Sequence, residues 1–251
     1  MFRPRIIPVL LLKGRGLVKS LGFRDHSYIG DPINAVRIFN ELKADELVFL
    51  DIEASRENRL VSLDFVRKVG EEASMPFSVG GGIGSLDDIR AIIQAGAEKV
   101  VINSYAASHP PFIKMAADAF GSSTIVVCID VKKKLFRGQR ACFLNGSKAT
   151  EFAPLEFAQL MERNGAGELI IQSIDRDGRM NGYDIDLVRS ISTSVNVPVV
   201  ALGGAGKMDD LAEAYRVGRA NGLAAGSMFV YKDKRRGVLI NYPEKNELTF
   251  D

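Results

Sequence analysis

Short, nearly unbroken apolar runs recur along the chain at residues 5–12, 46–52, 76–79, 99–102, 124–131, 168–173, 198–202 and 222–225. Runs that do not alternate polar with apolar suit parallel strands covered on both faces. Between them the period changes to that of helices. Ile33, Val36, Phe39 and Leu42 share one face after an Asp31-Pro32 start, and Leu60, Leu63, Val66 and Val69 share another. Ser85 with Asp88 opens a helix that ends at Gly96, and Leu187, Val188 and Ile191 mark one before Val197-Pro198. Eight strands alternating with helices predict a (β/α)8 barrel, with a doubly wound open sheet as the alternative. Two stretches break the pattern. Residues 132–150 are too long for a turn and predict a hairpin excursion on the rim. Asn241-Tyr242-Pro243 interrupts any long eighth helix.

The pattern also repeats. Pro76-Phe77-Ser78-Val79-Gly80-Gly81-Gly82-Ile83-Gly84 is answered by Pro198-Val199-Val200-Ala201-Leu202-Gly203-Gly204-Ala205-Gly206, an offset of 122 (198 − 76). In the same register Asp87-Asp88 meets Asp209-Asp210, Gly96 meets Gly218, Glu46-Leu47 meets Glu168-Leu169 and Pro32 meets Pro154. Such a period is too long for a solenoid unit and is about half of the 251 residues. It favours closure: one barrel domain over 1–251, made of half-barrels at about 1–122 and 123–251.

Composition narrows the function. A 46% hydrophobic fraction supplies a sizeable core, and a net charge of +2 implies no strong pull toward nucleic acid or membrane. The longest basic cluster, Lys132-Lys133-Lys134 with Arg137 and Arg140, reads as a solvated hairpin. Two cysteines, Cys128 and Cys142, suit a reducing compartment without disulfides. With no leader-like start and no membrane-length apolar run, a soluble cytoplasmic protein is expected. His26, in a polar loop, and His109 have no metal-ligand spacing, so no metal or cofactor is expected.

Barrels of this class collect function at the C-terminal ends of their strands. Glycines there let backbone amides approach an anion. Gly81 and Gly82 follow the third strand, with Asn103-Ser104 ending the fourth. Gly203 and Gly204 follow the seventh, with Ala225-Gly226 ending the eighth. Two such pairs related by the repeat predict two phosphate sites facing each other, hence a phosphorylated small molecule. The turn Asp175-Arg176-Asp177-Gly178 is placed to add amides beside Gly204.

Arg5-Ile6-Ile7-Pro8, Gly30-Asp31-Pro32, residues 44–52, Val79-Gly80-Gly81-Gly82-Ile83, residues 173–178 and Gly203-Gly204-Ala205-Gly206-Lys207-Met208 resemble the cyclase subunit of imidazole glycerol phosphate synthase. The resemblance covers residues 1 to about 230. It implies a (β/α)8 barrel with two phosphate sites on top, a glutaminase subunit docked below, and ammonia passing between through the barrel. It implies acid–base work by two aspartates, at the ends of strands one and five. The second is present as Asp130. The first position holds Leu11, which can neither give nor take a proton. Lys19 and Asp51 also match top-face positions. Arg5, Glu46, Lys99 and Glu168 match the charges that gate the family's ammonia tunnel, and Glu98 an acidic position at the glutaminase interface. Residues 234–243 depart from the family's longer last helix.

A kept conduit without the acid–base pair resembles the paralogs found with surface-polysaccharide genes. There, cyclase-like and glutaminase-like subunits supply ammonia to an ATP-using amidotransferase that turns a sugar acetamido group into an acetamidino group, as in O-antigen biosynthesis. The alternatives are a working cyclase (a lyase) of histidine biosynthesis that tolerates Leu11, and a related isomerase barrel of that pathway. The isomerase also needs two aspartates and has no use for gate charges.

Overall fold

In the computed structural model, residues 3–232 and 237–244 are described. Eight parallel strands close on themselves: β1 (Arg5–Lys13), β4 (Leu47–Asp51), β5 (Phe77–Gly80), β6 (Lys99–Ile102), β7 (Ile125–Lys134), β10 (Glu168–Ser173), β11 (Val199–Leu202) and β12 (Gly222–Ala225), with β12 pairing back to β1. The alternative of an open sheet is excluded by that last pairing. The apolar runs are continuous because each strand is buried twice. Outward-facing side chains such as Phe49, Val79 and Ile171 meet the helices. Inward-facing ones such as Ile7, Val48, Val126, Ile170 and Val200 form a separate cluster along the axis.

The helices follow their start signals. α1 (Pro32–Glu41) is capped by Asp31, whose carboxylate accepts from Asn34 N at 2.9 Å. α2 (Leu63–Glu72) begins later than its apolar spacing predicts, because Ser62 caps it through Phe65 N and leaves Leu60 outside the helix. α3 (Leu86–Gln94), α4 (Ser104–Ser108), α5 (Pro111–Phe120), α6 (Pro154–Arg163), α7 (Ile185–Ser192) and α8 (Met208–Arg216) complete the ring. The paired aspartates of the repeat have one shared task. Asp88 Oδ2 accepts from Gly84 N and Ser85 N at 3.0 and 2.9 Å, and Asp210 Oδ2 accepts from Gly206 N and Lys207 N at 2.8 and 3.1 Å. They close the first turns of α3 and α8.

Both excursions lie on the top rim. β2 (Gly16–Leu21) and β3 (Arg24–Gly30) form a hairpin on β1 that the apolar pattern does not predict, since β3 is exposed along most of its length. Gly22 and Phe23 turn it with φ of 58° and 65°. His26 therefore sits on a strand and not in a loop. The expected rim hairpin forms as the end of β7 with β8 (Gly138–Phe143), and β9 (Lys148–Ala149) adds to it. Among the described residues no long helix follows β12. A 3₁₀ turn, Ser227–Phe229, leads to a tail that returns to the barrel's lower end. There Tyr242 Oη donates to Ile6 O at 3.0 Å and accepts from Asp45 N at 3.1 Å. Lys234, Arg235 and Arg236 lie outside the described residues.

Candidate functional site

One cavity opens at the C-terminal ends of the strands. Its walls include Leu11, Lys19, Asp51, Asp130, Gln172 and Asp177, together with all the glycine and small-residue turns singled out above. Asp130 sits on the inward face of β7, in register with Gln172 of β10 and Cys142 of β8. Burial pushes its carboxyl up to about 7, a nearby Asp177 adds to the rise, and Cys128 and Asn103 oppose it. Asp130 thus exchanges a proton near neutral pH.

That shift makes stability pH-dependent. The unfolded carboxyl releases its proton near 4, whereas the folded one keeps it to about 7. The folded state therefore holds more protons in this window and loses stability as pH rises through it. Asp130→Asn is expected to be more stable than the native chain at pH 8, by about 2 kcal/mol, with the gain fading towards pH 4. Thermal melts across that range check it. A gain independent of pH contradicts the burial argument.

Leu11 faces the same cavity from β1 and pairs with Leu50 and Val18. Three strands separate β1 from β7 in either direction around the barrel, so Leu11 and Asp130 stand on opposite walls. Asp51 reaches the cavity with its carboxylate already engaged: Arg59 Nη1 donates at 2.6 Å, and Glu53 N and Ala54 N at 3.1 Å. It orders the turn after β4. Lys19 is fully buried. Its ammonium donates to Val9 O at 2.5 Å, and burial pulls it down to about 8 while Asp177 pulls the other way. Asp177 accepts from Ser20 Oγ at 2.7 Å and Phe23 N at 3.4 Å, so its carboxylate fastens the β2–β3 hairpin over the cavity.

The two glycine pairs also face each other, at the ends of β5–β6 and of β11–β12. Gly82 has a φ of 69°, and a Cβ there would lie 1.8 Å from Arg59 O. Gly204 has a φ of 114°, and its Cβ would lie 2.2 Å from Gly182 O. Both positions need glycine on conformational and packing grounds alike. Asp88 and Asp210 take the amides of Gly84 and Ser85 and of Gly206 and Lys207, just ahead of α3 and α8. Gly81, Gly82, Gly203 and Gly204, with the short turns starting at Asn103-Ser104 and Gly226, line the cavity. Asn103 Nδ2 donates to Cys128 O at 2.8 Å, holding its turn against β7.

At the opposite end, four side chains form a closed ring. Arg5 pairs with Glu46 and with Glu168; Lys99 Nζ lies 3.1 Å from Glu46 Oε1 and 3.0 Å from Glu168 Oε2. Ser78 Oγ donates to Glu46 at 3.0 Å. Burial lowers the Arg5 pKa, but Glu168 and Glu46 more than offset it, so the net shift is upward. Glu98 is not in the ring. It is exposed beside it, accepting from Phe77 N at 3.0 Å.

Arg59, Ser20 and Gln172 stand outside the motifs above, and Cys128 entered there only as one of two thiols. Gln172 carried a signal: it is a polar residue inside the run Leu169-Ile170-Ile171, two positions from the inward-facing Ile170.

Residues 5–235 match the family model described as histidine biosynthesis protein. A protein of Pseudomonas aeruginosa, provisionally named imidazole glycerol phosphate synthase subunit hisF2, is 46% identical over 248 residues, covering 99% of each chain. One of Vibrio vulnificus, provisionally named subunit hisF3 of the same synthase, is 44% identical over 98% of this chain and 95% of its own. The imidazole glycerol phosphate synthase subunit HisF of Geobacillus kaustophilus is 43% identical over 96% of each. With its closed (β/α)8 barrel and these similarities along nearly its whole length, the chain belongs to the histidine biosynthesis protein family, among the HisF-like cyclases.

Proposed function

We propose that this HisF-like barrel is the ammonia-conducting subunit of a glutamine-dependent amidotransferase and not a working cyclase. The observation that carries the reading is Leu11, an alkyl group on the wall opposite Asp130. Asp51, the other carboxylate at the β4 end, is bound to Arg59 and two amides and cannot take over the missing role. The ring of Arg5, Glu46, Lys99 and Glu168 supports a floor that a glutaminase can open, with Glu98 exposed for its docking. Axial residues such as Ile7, Val48, Val126 and Val200 form an apolar cluster between floor and cavity, surroundings that suit a small neutral molecule. The relatives are named as subunits of a synthase, which fits a heterodimer. We assign delivery to an ATP-using enzyme that amidinates a sugar for surface polysaccharide, with the opposed glycine turns binding a phosphorylated ligand in one barrel domain. Its two buried, unlinked cysteines fit a reducing cytoplasm.

Retained Asp130 and the 43% identity to a HisF subunit favour a second reading, a working cyclase of histidine biosynthesis. Sedimentation of the chain with a purified synthase-type glutaminase is the first test. A one-to-one complex in which glutamine hydrolysis accelerates is expected. A chain that stays alone and leaves hydrolysis unchanged removes the conduit reading.

A further inference from the structure

We propose that Gln172 and Asp130 form an ammonium-holding site at the upper end of the barrel interior, where ammonia is trapped as a cation before transfer; the site rests on the conduit reading above. Gln172 is 3% exposed, and its Oε1 has no hydrogen-bond partner, while its Nε2 is turned to Asp177 Oδ1 at 3.4 Å. A buried acceptor left without a donor costs about 1–3 kcal/mol, so this oxygen is built for a donor that arrives from outside the chain. Its neighbour across the ladder is Asp130, 6% exposed, whose carboxylate meets the weak Cys128 thiol at 3.8 Å and the Asn103 side chain. An unpartnered amide oxygen and a buried carboxyl therefore stand in register on adjacent strands and line one cavity.

What lies below them gives the ligand its class. The barrel interior is apolar, so an ion is barred and neutral ammonia is admitted. Asp130 and Gln172 are polar groups that ammonia meets as it leaves that cluster. On arrival the nitrogen lone pair takes the proton of the Asp130 carboxyl. One N–H bond forms, one O–H bond breaks, and the O–H electron pair stays on the carboxylate. The ammonium then donates to Asp130 and to Gln172 Oε1, and return of the proton releases ammonia. The groups facing Asp130 allow this. They are Cys128 on its own strand, Asn103 from the turn after β6, Cys142 from β8, and Gln172 and Asp177 from β10 and the turn beyond it. No cation is among those acting on its charge. Lys19 is held at Val9 O on the β1 side, Leu11 adds no carboxylate there, and the other two carboxylates of the cavity are engaged, Asp177 by Ser20 and Asp51 by Arg59.

Carbon-13 NMR of the Asp130 carboxyl in the full chain tests the site, with titrations in ammonium, sodium and methylammonium chloride at equal ionic strength. Ammonium alone is expected to lower the apparent pKa, by about one unit at ninefold its dissociation constant, since binding to the ionised form competes with the proton. Gln172→Met is expected to abolish that ammonium-specific shift, and Gln172→Glu, which restores an acceptor, to keep one. Superimposed native titrations in ammonium and sodium overturn the site, and they decide alone if Gln172→Met does not fold. A shift that survives in Gln172→Met also overturns it. The measurement involves neither glutaminase nor cyclisation. A negative result therefore leaves the partner and turnover tests of the conduit reading standing, and failure of those tests leaves this one readable.

Discussion

Leu11→Asp is expected to raise cyclase turnover of the chain at least a hundredfold, from a native rate near background. The assay supplies the ribulosyl aminoimidazole substrate of two-carboxylate cyclases with free ammonium, so no glutaminase is needed. Ring closure and cleavage require one group to give a proton while another takes one, and such a group contributes on the order of 10²–10⁴-fold. The native chain has Asp130, poised near neutrality by burial, and an alkyl group across from it. The rest of the top face is in place: the glycine turns hold the positive φ values that glycine permits, and the β2–β3 hairpin is fastened over the cavity by Asp177. The substitution replaces apolar contact with Leu50 by a part-buried carboxylate, so a stability loss of about 1–3 kcal/mol should accompany the gain. Leu11→Asn, equal in size but unable to carry a proton, should remain inactive. A native chain as fast as Leu11→Asp would show that one carboxylate suffices, and would return the protein to histidine biosynthesis.

Much of this barrel is legible in the sequence because its signals are redundant. Each apolar run is buried on two faces, and the glycine turns and capping aspartates recur at a fixed offset. Val79-Gly80-Gly81-Gly82 and Leu202-Gly203-Gly204 mark the same kind of turn in both halves. The β2–β3 hairpin is not legible for the opposite reason. Arg24, Asp25, His26, Ser27 and Tyr28 are exposed, so no apolar rhythm marks their strand. At the site, residue type told which groups could act but not which were free to do so. Asp51 and Asp177 look like Asp130 in the sequence. Only the fold shows Arg59 and two amides on the first and Ser20 on the second. The acidic pairs at 87–88 and 209–210 carry a similar lesson: Asp88 and Asp210 cap helices and so withdraw amides that a phosphate would otherwise use. Gln172 needed the register with Asp130 to acquire meaning.

Lys99→Met should separate a gate from a plug at the barrel floor. Lys99 bridges Glu46 and Glu168 at 3.1 and 3.0 Å, and Arg5 bridges the same two carboxylates from the other side. Methionine keeps most of the volume and removes the charge, so Arg5 is left to hold two carboxylates of which Glu46 is 4% and Glu168 6% exposed. Removing one partner of a buried pair costs several kcal/mol when the other is stranded. Here Arg5 remains and Lys99 is itself partly open to solvent, so a loss of about 1–3 kcal/mol is expected, with the barrel still folded. The larger effect should fall on transfer. In the Leu11→Asp background, in complex with a glutaminase, product formed per glutamine hydrolysed reports how much ammonia passes the floor. A ring that opens and closes around the axis depends on both cations. Losing one should drop that ratio at least tenfold, while turnover with free ammonium stays unchanged because the top face is untouched. A ratio that holds while the melting temperature falls would mean that the ring only seals the barrel, and that ammonia reaches the upper cavity by another route.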